Sequence, residues 1–358
     1  MRVCILGSGL TALTLAKALV NQNIFVDIVS LNKNFKINES RTIGISRSNF
    51  EYFNRNIINI EKIIWKLKKI EIYSDNIEKE KILNFENNKD QLFSIIKNHE
   101  IYEILNKSLT KNKYLKKIKF KKNLIKLNKY NLIINTDFRS SFTKKYFSKK
   151  IKKTYNSFAY TTIINHKEVL NEVAIKIFTK IGPIAFLPIS KNKTSIVYSI
   201  YNPKNINTEK VIQLIRQYNP KYEIKKIEKI ENFDLKSIIL RSYYHNNILA
   251  FGDLLHKIHP LAGQGFNMTI RDINLLIKII KKQIDLGLPL DSSINIEFEK
   301  KIKHKNYIFS KSIDFIYEYF NFENKLNNTF LSKSVQLLGK NKLFNNSFKK
   351  IADQGLIF

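Results

Sequence analysis

Strand, glycine turn, helix, strand is the order written into the first 29 residues, and few folds accept it. Val3-Cys4-Ile5-Leu6 is a short apolar run that stops at Gly7-Ser8-Gly9. Apolar residues at helical spacing follow from Leu10 to about Asn21, with Leu13, Ala16 and Leu19-Val20 on one face. Phe25-Val26-Asp27-Ile28-Val29 reads as a second strand, which makes the segment a βαβ opening. Its two glycines permit a tight turn and let the backbone come close to a pyrophosphate. Ala12 stands at the usual third glycine position and is small enough for helix–strand packing.

A second strand–turn–helix lies more than 240 residues further on. Ile248-Leu249-Ala250-Phe251 is a buried-strand pattern that runs into Gly252-Asp253, then His256, His259-Pro260-Leu261-Ala262-Gly263-Gln264-Gly265-Phe266-Asn267. A periodic apolar helix follows from Met268 to about Ile280. An acid at a strand end can accept hydrogen bonds from sugar-like hydroxyls. The glycines expose backbone N–H groups, and the helix N-terminus brings partial positive charge to an electron-accepting ligand. Two histidines three residues apart raise the question of a metal, but no Cys/His/Asp cluster accompanies them, so no metal is expected.

Composition removes several alternatives. With 358 residues, 44% of them hydrophobic, the chain can bury a large core shared by two or three domains. No apolar stretch approaches 18 residues, and the N-terminus has no leader pattern. Cys4 is the single cysteine and is expected to pack inside the first strand, in keeping with a reducing cytoplasm. The net charge is +32, yet only eight of the 62 basic residues are arginine, and the lysines are spread along the whole chain. Nucleic-acid surfaces favour arginine and cluster their charge, so no nucleic-acid partner is expected. Weak attraction to anionic lipid is expected instead.

Between the two motifs, Leu92 to Leu109 is expected to be a helix, Leu132-Ile133-Ile134 a buried strand, and Ala159–Ile164 and Thr194–Ile200 sheet strands. Glu209 to Gln217 and Ile294 to Phe320 are helical patterns. There is no internal repeat or low-complexity linker, so the domains are expected to interleave.

The Gly252–Asn267 series resembles the second cofactor motif of the FAD-dependent aromatic hydroxylases, the class A flavoprotein monooxygenases, and especially their ubiquinone-biosynthesis branch. Glu39-Ser40-Arg41-Thr42-Ile43-Gly44-Ile45-Ser46 is similar to the family's segment after the second strand. Tyr155–Asn165, Phe178 and Gly182–Pro188 are similar to its substrate sheet, and Phe330–Leu356 to its C-terminal helices. The resemblance implies an α/β fold of the p-hydroxybenzoate hydroxylase kind. A Rossmann-like FAD-binding domain (1–50, 95–153 and 240–290) would interleave with a β-sheet substrate domain (51–94 and 154–239), ahead of a C-terminal helical region (291–358).

The resemblance also implies residue roles. FAD would be held by Gly7, Gly9, Leu10, Thr11 and Ala12 at the first turn and by Arg41 near the phosphate and ribityl region. Gly252 and Asp253 would serve the ribityl chain, and Gly263, Gln264, Gly265, Phe266 and Asn267 the ring's pyrimidine edge. Pro260 would sit against the isoalloxazine where oxygen adds, and His259 is a candidate acid or base beside it. Three positions depart from the family. Ser30 stands where an acid normally holds the adenosine ribose, while Asp27 points elsewhere by strand alternation. Thr136-Asp137-Phe138 replaces Ala-Asp-Gly, so Asp137 is kept and the glycine is not. Leu254-Leu255 replace two alanines expected beside the flavin.

The implied activity is hydroxylation of a polyprenylated phenol on the route to ubiquinone, through a flavin C4a-hydroperoxide, with NADPH or NADH as electron donor and O₂ as co-substrate. Such a substrate would place the protein in the cytoplasm, in peripheral contact with the anionic inner face of the membrane or with other ubiquinone-biosynthesis proteins. Two other readings stay open: another FAD oxidoreductase on the same scaffold, such as a prenyl reductase or dehydrogenase, and a non-catalytic flavin-binding member.

Overall fold

The computed structural model describes residues 2–30, 39–78, 80–87, 91–119, 130–203, 206–326 and 329–356. The first strand, Arg2–Leu6, lies inside a six-stranded sheet, paired in parallel with Phe25–Ser30 on one side and Leu132–Asn135 on the other. Ile248–Ala250 continues the parallel order beyond Leu132–Asn135, and Leu115–Lys119 does so beyond Phe25–Ser30. Val3, Cys4, Ile5 and Leu132 are fully buried, as continuous apolar runs are when helices cover both faces of a parallel sheet. The helix Leu10–Val20 packs against the helices Asn98–Thr110 and Gly265–Asp285. Its Leu13, Leu15, Ala16 and Leu19 are buried, each leucine contributing about 1.5–3 kcal/mol of transfer free energy.

Asp27 is buried within this sheet, pointing away from the turn as alternation requires. It accepts hydrogen bonds from Arg2 at 3.0 Å and from the Tyr130 hydroxyl at 2.5 Å, which neutralise a carboxylate that could not otherwise be buried.

A second, nine-stranded sheet is built around Lys150–His166, a 17-residue strand that pairs with Lys193–Tyr201 on one side and Glu231–Leu240 on the other. The expected strands Ala159–Ile164 and Thr194–Ile200 are the middles of these longer ones. Gly182–Ser190, Val173–Thr179, Lys69–Ser74 and Glu80–Glu86 extend the sheet in that order. A small antiparallel sheet joins Thr42–Ser46, Phe93–Lys97 and Ile64–Leu67. Here the expected helix over Leu92–Leu109 is corrected. Phe93–Lys97 is a strand, and the helix starts at Asn98 and ends at Thr110. Leu92-Phe93-Ser94-Ile95-Ile96 satisfies either period over five residues, and pairing on both edges decides for the strand.

The helix after the second glycine turn spans Gly265–Asp285, followed by Ser292–Leu326, Phe330–Lys340 and Lys342–Gln354. Among the described residues no helix is long and apolar enough to cross a membrane.

Candidate functional site

The loops that leave the carboxyl ends of Arg2–Leu6, Leu132–Asn135 and Ile248–Ala250 meet at one place, the position where an open parallel sheet holds its ligands. Glycines make the meeting possible. Gly7 has φ +122°, and a Cβ there would lie 2.3 Å from the Thr136 Oγ1. Gly252 has φ +66°, and a Cβ there would lie 2.5 Å from Thr11 Cγ2. The first glycine turn therefore touches the Thr136-Asp137 segment, and the second strand–acid turn rests on the start of the first helix.

A cavity of about 970 Å³ opens beside this junction. The helices Leu10–Val20 and Gly265–Asp285 both point their N-termini at it. Neither N-cap residue, Gly9 or Gln264, offers a side-chain cap. First-turn N–H groups have no intrahelical acceptor, so each end presents free donors and partial positive charge. A Cβ built on Gly265 meets nothing within 4 Å, so the backbone there faces open space. Asp253, on a single helical turn Gly252–Leu254, is exposed in the cavity wall. Arg41 lies in the wall as well, its guanidinium 5.6 Å from the Phe233 ring centroid.

The far side of the cavity has a different chemistry. It is one face of the nine-stranded sheet, with Ile70, Ile72, Ala174, Ala185, Val197 and Phe233 in the wall. A polar cradle built from helix ends thus adjoins an apolar chamber.

This geometry agrees with what the comparisons find. The model of the FAD binding domain family matches residues 145–285. Ubiquinone biosynthesis monooxygenase COQ6, mitochondrial, of Drosophila melanogaster is 26% identical over 175 residues, covering 38% of this chain and 37% of that protein. The 3-demethoxyubiquinol 3-hydroxylase of Escherichia coli (strain K12) is 28% identical over 148 residues, covering 39% and 38%. The matched region therefore spans little more than a third of these curated relatives. Over the whole fold, the chain is similar to p-nitrophenol 4-monooxygenase PnpA from Pseudomonas putida DLL-E4, with a TM-score of 0.78 at 11% identity over 99% of this chain and 98% of that one. It is also similar to Klebsiella pneumoniae HpxO complexed with FAD and uric acid, with a TM-score of 0.77 at 10% identity over 99% and 97%. Residues 145–285 are thus similar to an FAD binding domain, and the whole chain has the fold of these solved structures.

The donors and spaces of the cavity fit FAD. Of the positions that the family motif singles out, Gly7, Gly9, Leu10 and Thr11 form one end of the cavity wall. Arg41, Asp137 and Asp253 lie along it, and Pro260, Gly263, Gln264, Gly265 and Phe266 form the other end. Five positions are not in the wall. Ala12 is fully buried under the first turn, and Gly252 is occupied by its contact with Thr11. Ser30 donates to Ser8 Oγ at 3.2 Å and so reaches the wall through Ser8.

Asn267 is fully buried and acts as a brace. Its Nδ2 donates to the carbonyl oxygens of Gly44 at 3.0 Å and Gly263 at 3.1 Å, and its Oδ1 accepts from Ser46 N at 2.9 Å. His259 is fully buried behind Pro260, edge-on to Tyr155 at 4.9 Å and tilted over Tyr317 at 4.3 Å between ring centroids. Burial, together with the positive charges of Lys176 and Lys153, holds its imidazole down to about 3, so the ring is neutral at neutral pH. Leu254 and Leu255 also differ from expectation. They turn inward into the main core, and neither lies in the cavity wall.

The site has partners that its motifs do not announce. His256, in the wall, shares a 2.6 Å hydrogen bond through Nε2 with Asp272, and Asp272 also accepts from Asn306 at 3.1 Å. The helix Lys342–Gln354 supplies Phe348, Lys349, Ala352 and Asp353 to the wall. It is sewn in place by Gln264 Nε2 donating to Ala352 O at 3.1 Å and by Ser46 and Ser48 hydroxyls donating to Asp353 O at 2.8 and 2.9 Å. Its spacing in the sequence signals an amphipathic helix, but nothing there signals where it docks. Lys176 stands in the apolar half of the cavity.

Proposed function

We propose that this chain is an FAD-dependent monooxygenase that hydroxylates a polyprenylated phenol in ubiquinone biosynthesis, using NADPH or NADH as electron donor. One observation carries the reading: two uncapped helix N-termini and an exposed aspartate share a cavity with an apolar sheet face. FAD, when bound, supplies the electron store and the centre that activates O₂.

The chain's own residues do the rest. In this reading the backbone N–H groups at the start of Leu10–Val20, with Arg41, take the pyrophosphate. Asp253 accepts hydrogen bonds from the ribityl hydroxyls, and the backbone from Gly263 to Phe266 faces the ring. The positive end of Gly265–Asp285 favours added negative charge on that ring. Pro260 lies beside it without a donor of its own. The Ile70, Ile72, Val197 and Phe233 side chains keep water from the reacting centre and match an aromatic ring with a prenyl tail. Residues 1–50, 95–153 and 240–290 would then hold the cofactor, 51–94 and 154–239 would face the substrate, and 291–358 would form the helical region.

The test is an absorbance spectrum of the purified protein followed by turnover of a 2-prenylphenol under ¹⁸O₂. A flavin spectrum and one labelled oxygen in the product support the reading. Flavin reduction and product formation with no label point to a dehydrogenase or reductase instead, and protein that refuses added FAD removes both.

The same reading includes docking on an anionic lipid surface. Phe330, Leu337 and Leu343 on the last two helices are 68%, 68% and 79% exposed, and the exposed Lys333, Lys340, Lys342 and Lys350 stand on the same helices. Phe348 and Lys349 connect that surface to the cavity wall. Sedimentation with vesicles that contain anionic lipid, lost in vesicles without it and weakened by salt, is the expected result. Leu337→Glu/Leu343→Glu should abolish it, and equal binding by that variant would reject this surface.

A further inference from the structure

On the sheet face that walls the cavity, one charged side chain stands among apolar neighbours. On Val173–Thr179, Ala174 and Lys176 pair with Ile70 and Ile72 of one neighbouring strand, and Lys176 pairs with Ala185 of the other. Ala185 in turn pairs with Val197. Paired residues share a face, and all six of these line the cavity. Five are apolar. Lys176 is the exception, with its ammonium 5.4 Å from the Phe178 ring centroid. Among the described residues it has no carboxylate partner, and burial alone lowers its amine to about 7.

The other cations of the cavity are engaged, distant or of a different chemistry. Lys236 pairs with Asp234 at 2.5 Å, and Lys349 donates to the Glu86 carbonyl oxygen at 2.9 Å. Lys257 is on the sheet's edge strand, five strands from Lys176. Arg41 and Arg139 carry guanidinium groups, which donate hydrogen bonds and accept none. His259 is fully buried, and His256 has its Nε2 bound to Asp272. An apolar wall with a single unpaired amine suits a ligand that is apolar except for one acidic oxygen. A phenol is such a ligand.

We propose that Lys176 is the substrate-contacting base of the cavity: its amine takes the proton of the phenolic hydroxyl, and the resulting ammonium holds the phenolate oxygen. The O–H bond breaks, an N–H bond forms, and no charge is gained or lost by the pair. The phenolate ring is more electron-rich than the phenol, which is what an incoming electrophilic oxygen requires. Burial lowers the amine and so leaves it able to take a proton, and the phenolate beside it then stabilises the ammonium that forms. The assignment rests on the phenol reading given above.

Ultraviolet difference spectroscopy tests it without turnover, with FAD-loaded protein and a short-chain 2-prenylphenol at pH 8. Wild type is expected to bind the probe with a phenolate band. Lys176→Met should retain FAD, bind the probe at least ~10-fold more weakly and show no phenolate band. Lys176→Arg, which keeps the charge but accepts no proton, should recover affinity and show the band only at higher pH. An equal band and affinity in wild type and Lys176→Met would overturn the role of Lys176 while leaving the phenol reading intact. Failure of FAD-loaded wild type to bind the phenol would overturn both.

Discussion

Asn267 Nδ2 donates to the Gly44 carbonyl oxygen at 3.0 Å, which ties the helix after the second glycine turn to the strand that follows Arg41. The two segments are more than 220 residues apart in the chain, and both contribute to the cavity wall. Asn267→Ala would leave buried backbone groups of Gly44 and Ser46 without partners, at a cost of about 2–4 kcal/mol. The apoprotein should unfold at lower urea, and FAD should dissociate faster. A urea midpoint equal to wild type would reject the bracing role.

Gly252 and Gly265 should respond oppositely to the same change. At Gly252 alanine meets Thr11 and a positive φ, so Gly252→Ala should lose about 1–3 kcal/mol of apoprotein stability. At Gly265 alanine meets nothing, and in the first helical turn it should leave apoprotein stability unchanged or slightly raised. Its methyl would nevertheless stand toward the cavity, so FAD affinity should fall. Unchanged affinity in Gly265→Ala would argue against a flavin edge at that backbone.

His259 makes an acid-sensitive core. Its ring binds a proton near 6.5 when unfolded and only near 3 when folded. Between those values the unfolded state carries more protons, so stability rises with pH and is lost as pH falls from about 6.5 toward 3. His259→Phe keeps the ring packing against Tyr155 and Tyr317. It should leave stability at pH 7 within ~1.5 kcal/mol and remove an acid loss on the order of a few kcal/mol. Urea midpoints from pH 3.5 to 7 measure it, and parallel pH profiles for the two proteins would contradict it.

Asp272 and His256 should behave as a unit. Both are buried, and their 2.6 Å hydrogen bond leaves neither suited to stand alone. Asp272→Ala should cost about 3–5 kcal/mol. The double variant His256→Leu/Asp272→Leu should recover much of that loss, because it removes both polar groups together. Additive losses in the double variant would show that the pair is not coupled.

The parts of this site that could be read from the amino-acid order are those in which local geometry and chemistry coincide. Gly7, Gly9, Asp253 and Gly265 are each next to a strand end or a helix start, so their neighbours in sequence are their neighbours in function. Asn267 belongs to the same motif, yet its partners Gly44 and Ser46 lie more than 220 residues away, and only the folded structure identifies it as a brace. Lys176 is one of many lysines, and alternation alone cannot say which sheet face is turned to a cavity. Phe93–Lys97 was open to misreading as helix because five apolar-rich residues satisfy two periods at once, and its partners on both sides come from distant segments.

The docking of Lys342–Gln354 also bears on the order of assembly. Arg2–Leu6, inside the parallel sheet, is made more than 240 residues ahead of Ile248–Ala250, which lies two places away in the same sheet. The wall residues of Lys342–Gln354 come about 100 residues later again. A nascent chain can therefore form the first glycine turn long before it has a closed chamber. The bonds from Gln264, Ser46 and Ser48 to that last helix complete the cavity wall only once Lys342–Gln354 has been made.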